Sequence, residues 1–327
     1  MLFRSYEVAP RFERPGADYE GTRAEVAWMA EINRRTGRPV TFGMAQSDLG
    51  PELYRKILER VDAEAATGGV IHPQTTPRGI ALLFGLAART FFDHAPAWRE
   101  LAGLDLPAKL AALRDPQRRE RLIADAQAHT PGLDFHKVYV LAGEPLNYRF
   151  TPDDSLAAHA ARAGEDIAEA FVRLSDATDG RALFSFPFLN QQHDAIAEML
   201  AHPLCVLGLA DSGAHVGMIM DAGQPTWLLS DWVRDRGVMS IEDAIFRLSA
   251  QPAALFGITG RGVLQEGAHA DVNVLDLDAL ALERCRHHER LAHGTGTSGS
   301  PAESAPAAEP GNALRSEEHT SELQSRG

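Results

Sequence analysis

VLGLADSGAH, Val206 to His215, is the stretch whose reading decides the fold. An apolar run stops at Asp211, two small residues follow, and a histidine stands four positions beyond the aspartate. The run is too short for a helix and predicts a buried strand. A carboxylate at the carboxyl end of such a strand stands where an α/β barrel assembles its chemistry, so Asp211 is the first candidate for a catalytic residue. A turn or N-cap aspartate is the competing reading.

Downstream, LSAQPAALFGITGRGVLQEGAHADVNVLDLD spans Leu248 to Asp278. It contains a helix with Gln251-Pro252-Ala253-Ala254, a turn through Gly257 and Gly262, then Gly267, Ala270-Asp271 and an alternating strand. This resembles the closing signature of the amidohydrolase superfamily. Within it, the chain is most similar to the N-acyl-D-amino-acid deacylases (D-aminoacylases). There a strand of the type ALFSFPFLN, Ala182 to Asn190, precedes a helix, a His-Pro pair as in His202-Pro203, and the strand ending in the aspartate. The likeness runs from Thr36 to Asp278.

The resemblance implies an α/β fold, a (β/α)8 TIM-type barrel of which this chain holds the carboxyl-terminal half, with part of a small β-sandwich. It also implies hydrolysis of a linear amide C–N bond in a small-molecule N-acyl amino acid. In that chemistry one or two divalent metal ions, zinc above all, acidify a water, and an aspartate takes its proton. Asp211 matches that aspartate and also a metal ligand, and His215 would face the substrate; for His215 a loop histidine satisfied by a backbone carbonyl is the alternative.

Deacylases of this type carry further metal-binding histidines at the ends of the fifth and sixth strands. At the first position FGMAQSD, Phe42 to Asp48, offers Met44 and Gln46, and an amide is a poor zinc ligand beside imidazole. At the second, VIHPQTTPRG, Val70 to Gly79, supplies His72 as a metal ligand, with Gln74 two positions on and on the same side of a strand. A histidine before proline also shapes turns. Arg78 presents a guanidinium fork that suits a substrate carboxylate, or else is a surface arginine. The missing histidine keeps two alternatives open: a hydrolase of cyclic amides such as hydantoins or dihydropyrimidines, and a non-catalytic barrel that has lost metal ligands.

Along the chain, residues 18–36 predict an amphipathic helix, 39–45 a strand, 51–66 a Pro-initiated helix and 68–74 the next strand. That is the order of successive parallel βα units. Residues 75–164 form a helical excursion, a wall or lid over the barrel mouth within a domain spanning 6–262. Residues 263–284 are the return strand of the sandwich. His193 is expected near the mouth, His94 and His136 on the surface, and Trp227 and Trp232 packing a helix onto the barrel.

The 327 residues carry a net charge of −13, from 32 basic against 45 acidic side chains. That excludes nucleic acid and anionic membrane as partners, since both require a basic face. No apolar run reaches the ~20 residues of a membrane span, and a cytoplasmic location is expected. Cys205 and Cys285 give no disulfide framework, and Cys205 reads as a small buried hydrophobe. Gly294 to Ser300 lacks the lysine of a phosphate loop, and no Gly-x-Ser-x-Gly elbow occurs.

The ends read differently. RSEEHTSELQS, Arg315 to Ser325, resembles a translated sequencing adapter, and LFRS, Leu2 to Ser5, resembles its counterpart. Residues 1–5 and 315–327 are therefore expected to lie outside the fold, with 285–314 a linker or out-of-frame stretch. The family's His-x-His strand is missing from the amino-terminal part, so the chain alone is expected to be inactive.

Overall fold

The helix expected at the amino-terminal side forms as α1, Glu20–Thr36, burying Val26, Met29 and Ala30 at helical spacing. It stops at Gly37, whose φ of 63° suits glycine and whose N–H reaches the Asn33 carbonyl at 2.7 Å. Arg34 and Arg35 occupy its last turn, where the helix dipole favours cations. The computed structural model to which this helix belongs describes residues 4–12, 18–129, 132–141, 148–208 and 223–282.

Four strands make a parallel sheet in the order β1, β2, β3, β7: Tyr6–Val8, Val40–Gly43, His72–Thr75 and Val206–Leu207. Thr41 stands opposite His72, and Gln74 opposite Val206. Helix α2, Leu53–Ala65, connects β2 to β3 and buries Tyr54, Ile57, Leu58 and Val61. With α1 and α8, His193–Ala201, it covers one face of the sheet in a largely aliphatic core that includes Phe42, Ile71, Ile196 and Met199.

Between β3 and β7 the chain builds a second unit with its own antiparallel sheet, order β4, β6, β5: Ile80–Phe84, Leu183–Leu189 and Tyr139–Leu141. Helices α3, Pro96–Arg99, α4, Leu106–Arg114, α5, Pro116–Ala128, α6, Leu156–Ala163, and α7, Ile167–Ala177, pack around it. Asp115 separates α4 from α5 by capping the second, its carboxylate accepting the Arg118 N–H at 2.8 Å ahead of Pro116. Gly164, at φ 67°, ends α6 and separates it from α7. Asp166 and Glu169 cap α7 reciprocally. After β7 come α9, Gln224–Trp227, a π-helical continuation Leu228–Asp235, α10, Ile241–Leu248, and α11, Ala250–Leu255.

Three expectations need correction. The run Ala182 to Asn190, expected as a barrel strand, pairs antiparallel with β4 and β5 and belongs to the inserted unit. This unit extends from Ile80 to Leu189, beyond the boundary read at 164, and contains a sheet as well as helices. The alternating stretch after Gly262 forms no strand among the described residues 263–282, where Val272 and Val274 are exposed. The parallel sheet itself, open and four-stranded among the described residues, is the α/β arrangement expected.

Trp227 and Trp232 pack in the aliphatic core as expected, and His94 and His136 are exposed. Cys205 is fully buried, and burial pushes its thiol up to about 12. No helix among the described residues is long and apolar enough to cross a membrane.

Candidate active site

Strand β3 sets the geometry of the site. His72 and Gln74 share one face, while Thr75 turns the other way, its hydroxyl 3.7 Å from Met199 Sδ under the helices. His72 Nδ1 lies 3.1 Å from the Leu204 carbonyl, ahead of β7. In the tautomer that donates this bond, Nε2 keeps its lone pair, and burial pushes the pKa down, so the ring is held in the neutral form that binds metal.

Gln74 bridges its neighbours. Its Nε2 reaches Glu7 Oε1 on β1 at 3.4 Å, and its Oε1 lies against Gly208, just after β7, where any Cβ would come within 2.3 Å of it. Glycine at 208 thus lets Gln74 cross the end of β7. The Gly208 N–H bonds the Thr75 carbonyl at 3.0 Å, so pairing with β3 continues to that residue. Asp211 and His215, three and seven positions further on, lie outside the described residues.

The position without a histidine has another use. Gln46 is fully buried: its Nε2 donates to Asp48 Oδ1 at 3.1 Å, its Oε1 accepts the Gln192 N–H at 3.1 Å, and its backbone N–H donates to Asn190 Oδ1 at 2.8 Å. Asn190 in turn donates from Nδ2 to Thr76 Oγ1 at 2.8 Å, with Thr75 Oγ1 at 3.3 Å. Both ends of the Gln46 amide are committed to this seam, so it does not fit a metal. His72 does fit as one ligand, yet among the described residues no three His, Cys, Asp or Glu side chains converge as a metal site.

Arg78 is buried, 2% exposed, which overturns the surface alternative; its guanidinium carbon lies 4.0 Å from the centre of the Tyr148 ring. Tyr148 faces a cavity of about 260 Å³ where the ends of the parallel sheet meet the inserted unit. The sheet side contributes Asp48, Asn190, Gln192 and His193; the inserted unit contributes Lys137, Tyr139, Phe150 and Ser185. His72, Gln74 and Arg78 do not line it.

Lys137 Nζ bonds Asp48 Oδ2 at 2.7 Å across this boundary. Burial acts to raise the Asp48 carboxyl, but hydrogen bonds from Lys137, Gln192 and Gln46 prevail and hold its pKa below the usual carboxylate range. Lys137 is raised by the same bond. Burial first, then Arg236, push His193 down and keep it neutral at neutral pH. The sequence places Gln46 to Asp48 and Asn190 to His193 after strands, which points toward the mouth. It gives no sign of Lys137, which reaches the cavity from a distant turn before β5.

The chain belongs to the Amidohydrolase family, which matches residues 7–301. It is 32% identical to N-acyl-D-glutamate deacylase of Alcaligenes xylosoxydans xylosoxydans over 130 residues, 38% of this chain and 25% of that relative. The N-acyl-D-aspartate deacylase of the same organism is 32% identical over 123 residues, covering 36% and 22% of the two chains. The matched stretches thus cover at most about a quarter of the length of these curated relatives. A crystal structure of N-acyl-D-glutamate deacylase from Bordetella bronchiseptica, complexed with zinc and a phosphonate inhibitor, aligns with a TM-score of 0.44 at 24% identity. That alignment covers 83% of this chain and 47% of the other.

Proposed function

We propose a metal-dependent amidohydrolase that cleaves the linear amide C–N bond of an N-acyl amino acid, releasing a carboxylate and a free amine. One observation supports this most: β7, which leads in sequence to Asp211, lies parallel beside β3, which carries His72. The deacylase relatives support the substrate class, and their names give N-acyl-D-glutamate and N-acyl-D-aspartate as substrates of those proteins.

In this reading Asp211 takes the proton of the attacking water and passes it to the leaving nitrogen. His215 contacts the substrate. His72, oriented by the Leu204 carbonyl, would hold the ion through its other ring nitrogen. A divalent ion such as zinc, when bound, supplies Lewis acidity toward the carbonyl and the water. Gln74 spans β1 to β7 at the sheet end and meets the substrate there. Arg78, expected as a direct carboxylate partner, instead supports the substrate wall through Tyr148.

The test is hydrolysis of N-acyl-D-amino acids, beside hydantoins and dihydropyrimidines, by the complete gene product, with metal content measured in parallel. Asp211→Asn is expected to lower turnover by about 10²–10⁴-fold, the usual worth of a general base, with metal retained in part. His72→Gln is expected to lower metal per chain. Faster turnover of cyclic amides would replace the linear-amide reading, and metal-free protein without turnover would favour a binding-only barrel.

A further inference from the structure

The cavity at the boundary of the two units has a composition that selects among carboxylates. Its apolar wall is aromatic: Tyr139 and Phe150 stack face to face with centroids 4.5 Å apart, and Tyr148 meets Phe150 edge-on at 6.0 Å. All three rings are only half-buried, so part of their surface is available to a guest in the cavity they line. Among the described lining residues, Lys137 is the one cation at neutral pH, because His193 is neutral. An ammonium has three donors, and Asp48 takes one of those on Lys137.

Ser185 adds an independent sign of a ligand. It is fully buried and borders the cavity, and its hydroxyl has no hydrogen-bond partner among the described residues. A buried hydroxyl left in this way is costly unless something it can bond to arrives. Size and charge narrow what that is. At about 260 Å³ the cavity lies just below the ~300–1,000 Å³ of sites that enclose drug-sized ligands, so it suits one ring on a short linker. Asp48, ionised at the rim, repels a second carboxylate, so a diacid is disfavoured.

We propose that this cavity binds an arylalkyl monocarboxylate, its carboxylate on Lys137 and Ser185 and its ring against Tyr139 and Phe150. That it thereby receives the amino-acid half of an N-acyl aromatic amino acid rests on the amidohydrolase reading; the binding class does not. This sets the chain apart from relatives named for acidic amino acids.

The test is titration of the full chain with three unreactive acids, 3-phenylpropionate, 3-cyclohexylpropionate and glutarate, followed by calorimetry and by ring-proton shifts. 3-Phenylpropionate is expected to bind one per chain, about tenfold tighter than glutarate and several-fold tighter than the cyclohexyl acid. Lys137→Met is expected to weaken it about tenfold or more, and Ser185→Ala and Phe150→Leu several-fold, while Lys137→Arg retains it. Glutarate binding as tightly as the aryl acid, or no saturable aryl-acid binding, overturns the proposal. Folded Lys137→Met and Phe150→Leu proteins with unchanged affinity do so too. Where a variant fails to fold, the order of the three acids on the unmodified chain still decides.

Hydrolysis separates this proposal from the reading it extends. 3-Phenylpropionate binding with no turnover of N-acetyl-D-phenylalanine by the complete gene product keeps the cavity assignment and removes the deacylase. Turnover without saturable aryl-acid binding does the reverse.

Discussion

The parallel-sheet body and the inserted unit are held together by different means. The body packs mostly aliphatic side chains from α1, α2 and α8 onto one face of its sheet and leaves the other to Glu7, Thr41, His72 and Gln74. The inserted unit gathers rings instead: Phe171 lies 4.8 to 5.8 Å, centroid to centroid, from Phe184, Phe92, Phe91 and Trp98. The boundary between them is largely polar: Asn190, where the chain leaves the inserted unit, accepts from Gln46, Lys137 of the unit bonds Asp48, and Arg149 meets Asp231 and Asp235. Each unit therefore secures itself by burial, while the cavity between them is shaped by hydrogen bonds, which fix direction as well as distance.

The strongest test of that division is Phe171→Ala. Phe171 is fully buried among four other rings, and its truncation is expected to cost about 3–5 kcal/mol. Native-state amide exchange reads where the loss falls. Protection should drop across α4 to α7 and β6 while β2 and β3 keep theirs. An equal drop in β2 and β3 would show that the two cores unfold as one.

Asn190 tests the boundary. It sits at φ 53°, a backbone conformation asparagine tolerates, and ties Gln46 to Thr76. Asn190→Ala loses these bonds, leaves buried donors and acceptors unmatched and strains the backbone, at a cost of about 2–4 kcal/mol in urea unfolding. Asn190→Gly loses the same bonds without the strain and is expected to recover about 1 kcal/mol of that cost. Equal losses for the two variants would show that the backbone contributes nothing here.

Such features divide what the sequence tells from what it withholds. The helices α1 and α2 and the strands β2 and β3 are legible because each carries its own period and its own stops, as with Gly37 after α1. Ala182 to Asn190 is misread because an apolar run marks burial and not the partner; β6 is the central strand between β4 and β5, with most of its residues buried. On the site, His72 and Gln74 are legible from strand alternation. Gln46 is visible as a missing histidine, but its binding to Asn190, 144 residues away, is not. Lys137 shows no pattern at all, since only the folding of the inserted unit brings it to Asp48.

The smallest effect expected lies within the body, where α8 meets α2. Glu198 accepts hydrogen bonds from Arg55 Nη2 at 2.6 Å, Arg55 Nε at 2.7 Å and Tyr54 Oη at 2.7 Å. Arg55 first, then Tyr54, pull its carboxyl from the ordinary 4.5 to about 2. An unfolded chain takes up this proton near pH 4.5, the folded one only near pH 2. The stabilisation is therefore complete above pH 4.5 and lost as pH falls through about 2. Glu198 is 45% exposed, so solvent and salt screen much of the pair. Glu198→Gln is accordingly expected to change neutral stability little but to flatten the acid limb of stability between pH 4.5 and 2, less so at high salt. A carboxyl titration by NMR checks the premise: a midpoint near 4.5 for Glu198 would mean that the α2–α8 contact rests on packing alone, as the ring cluster of the inserted unit does.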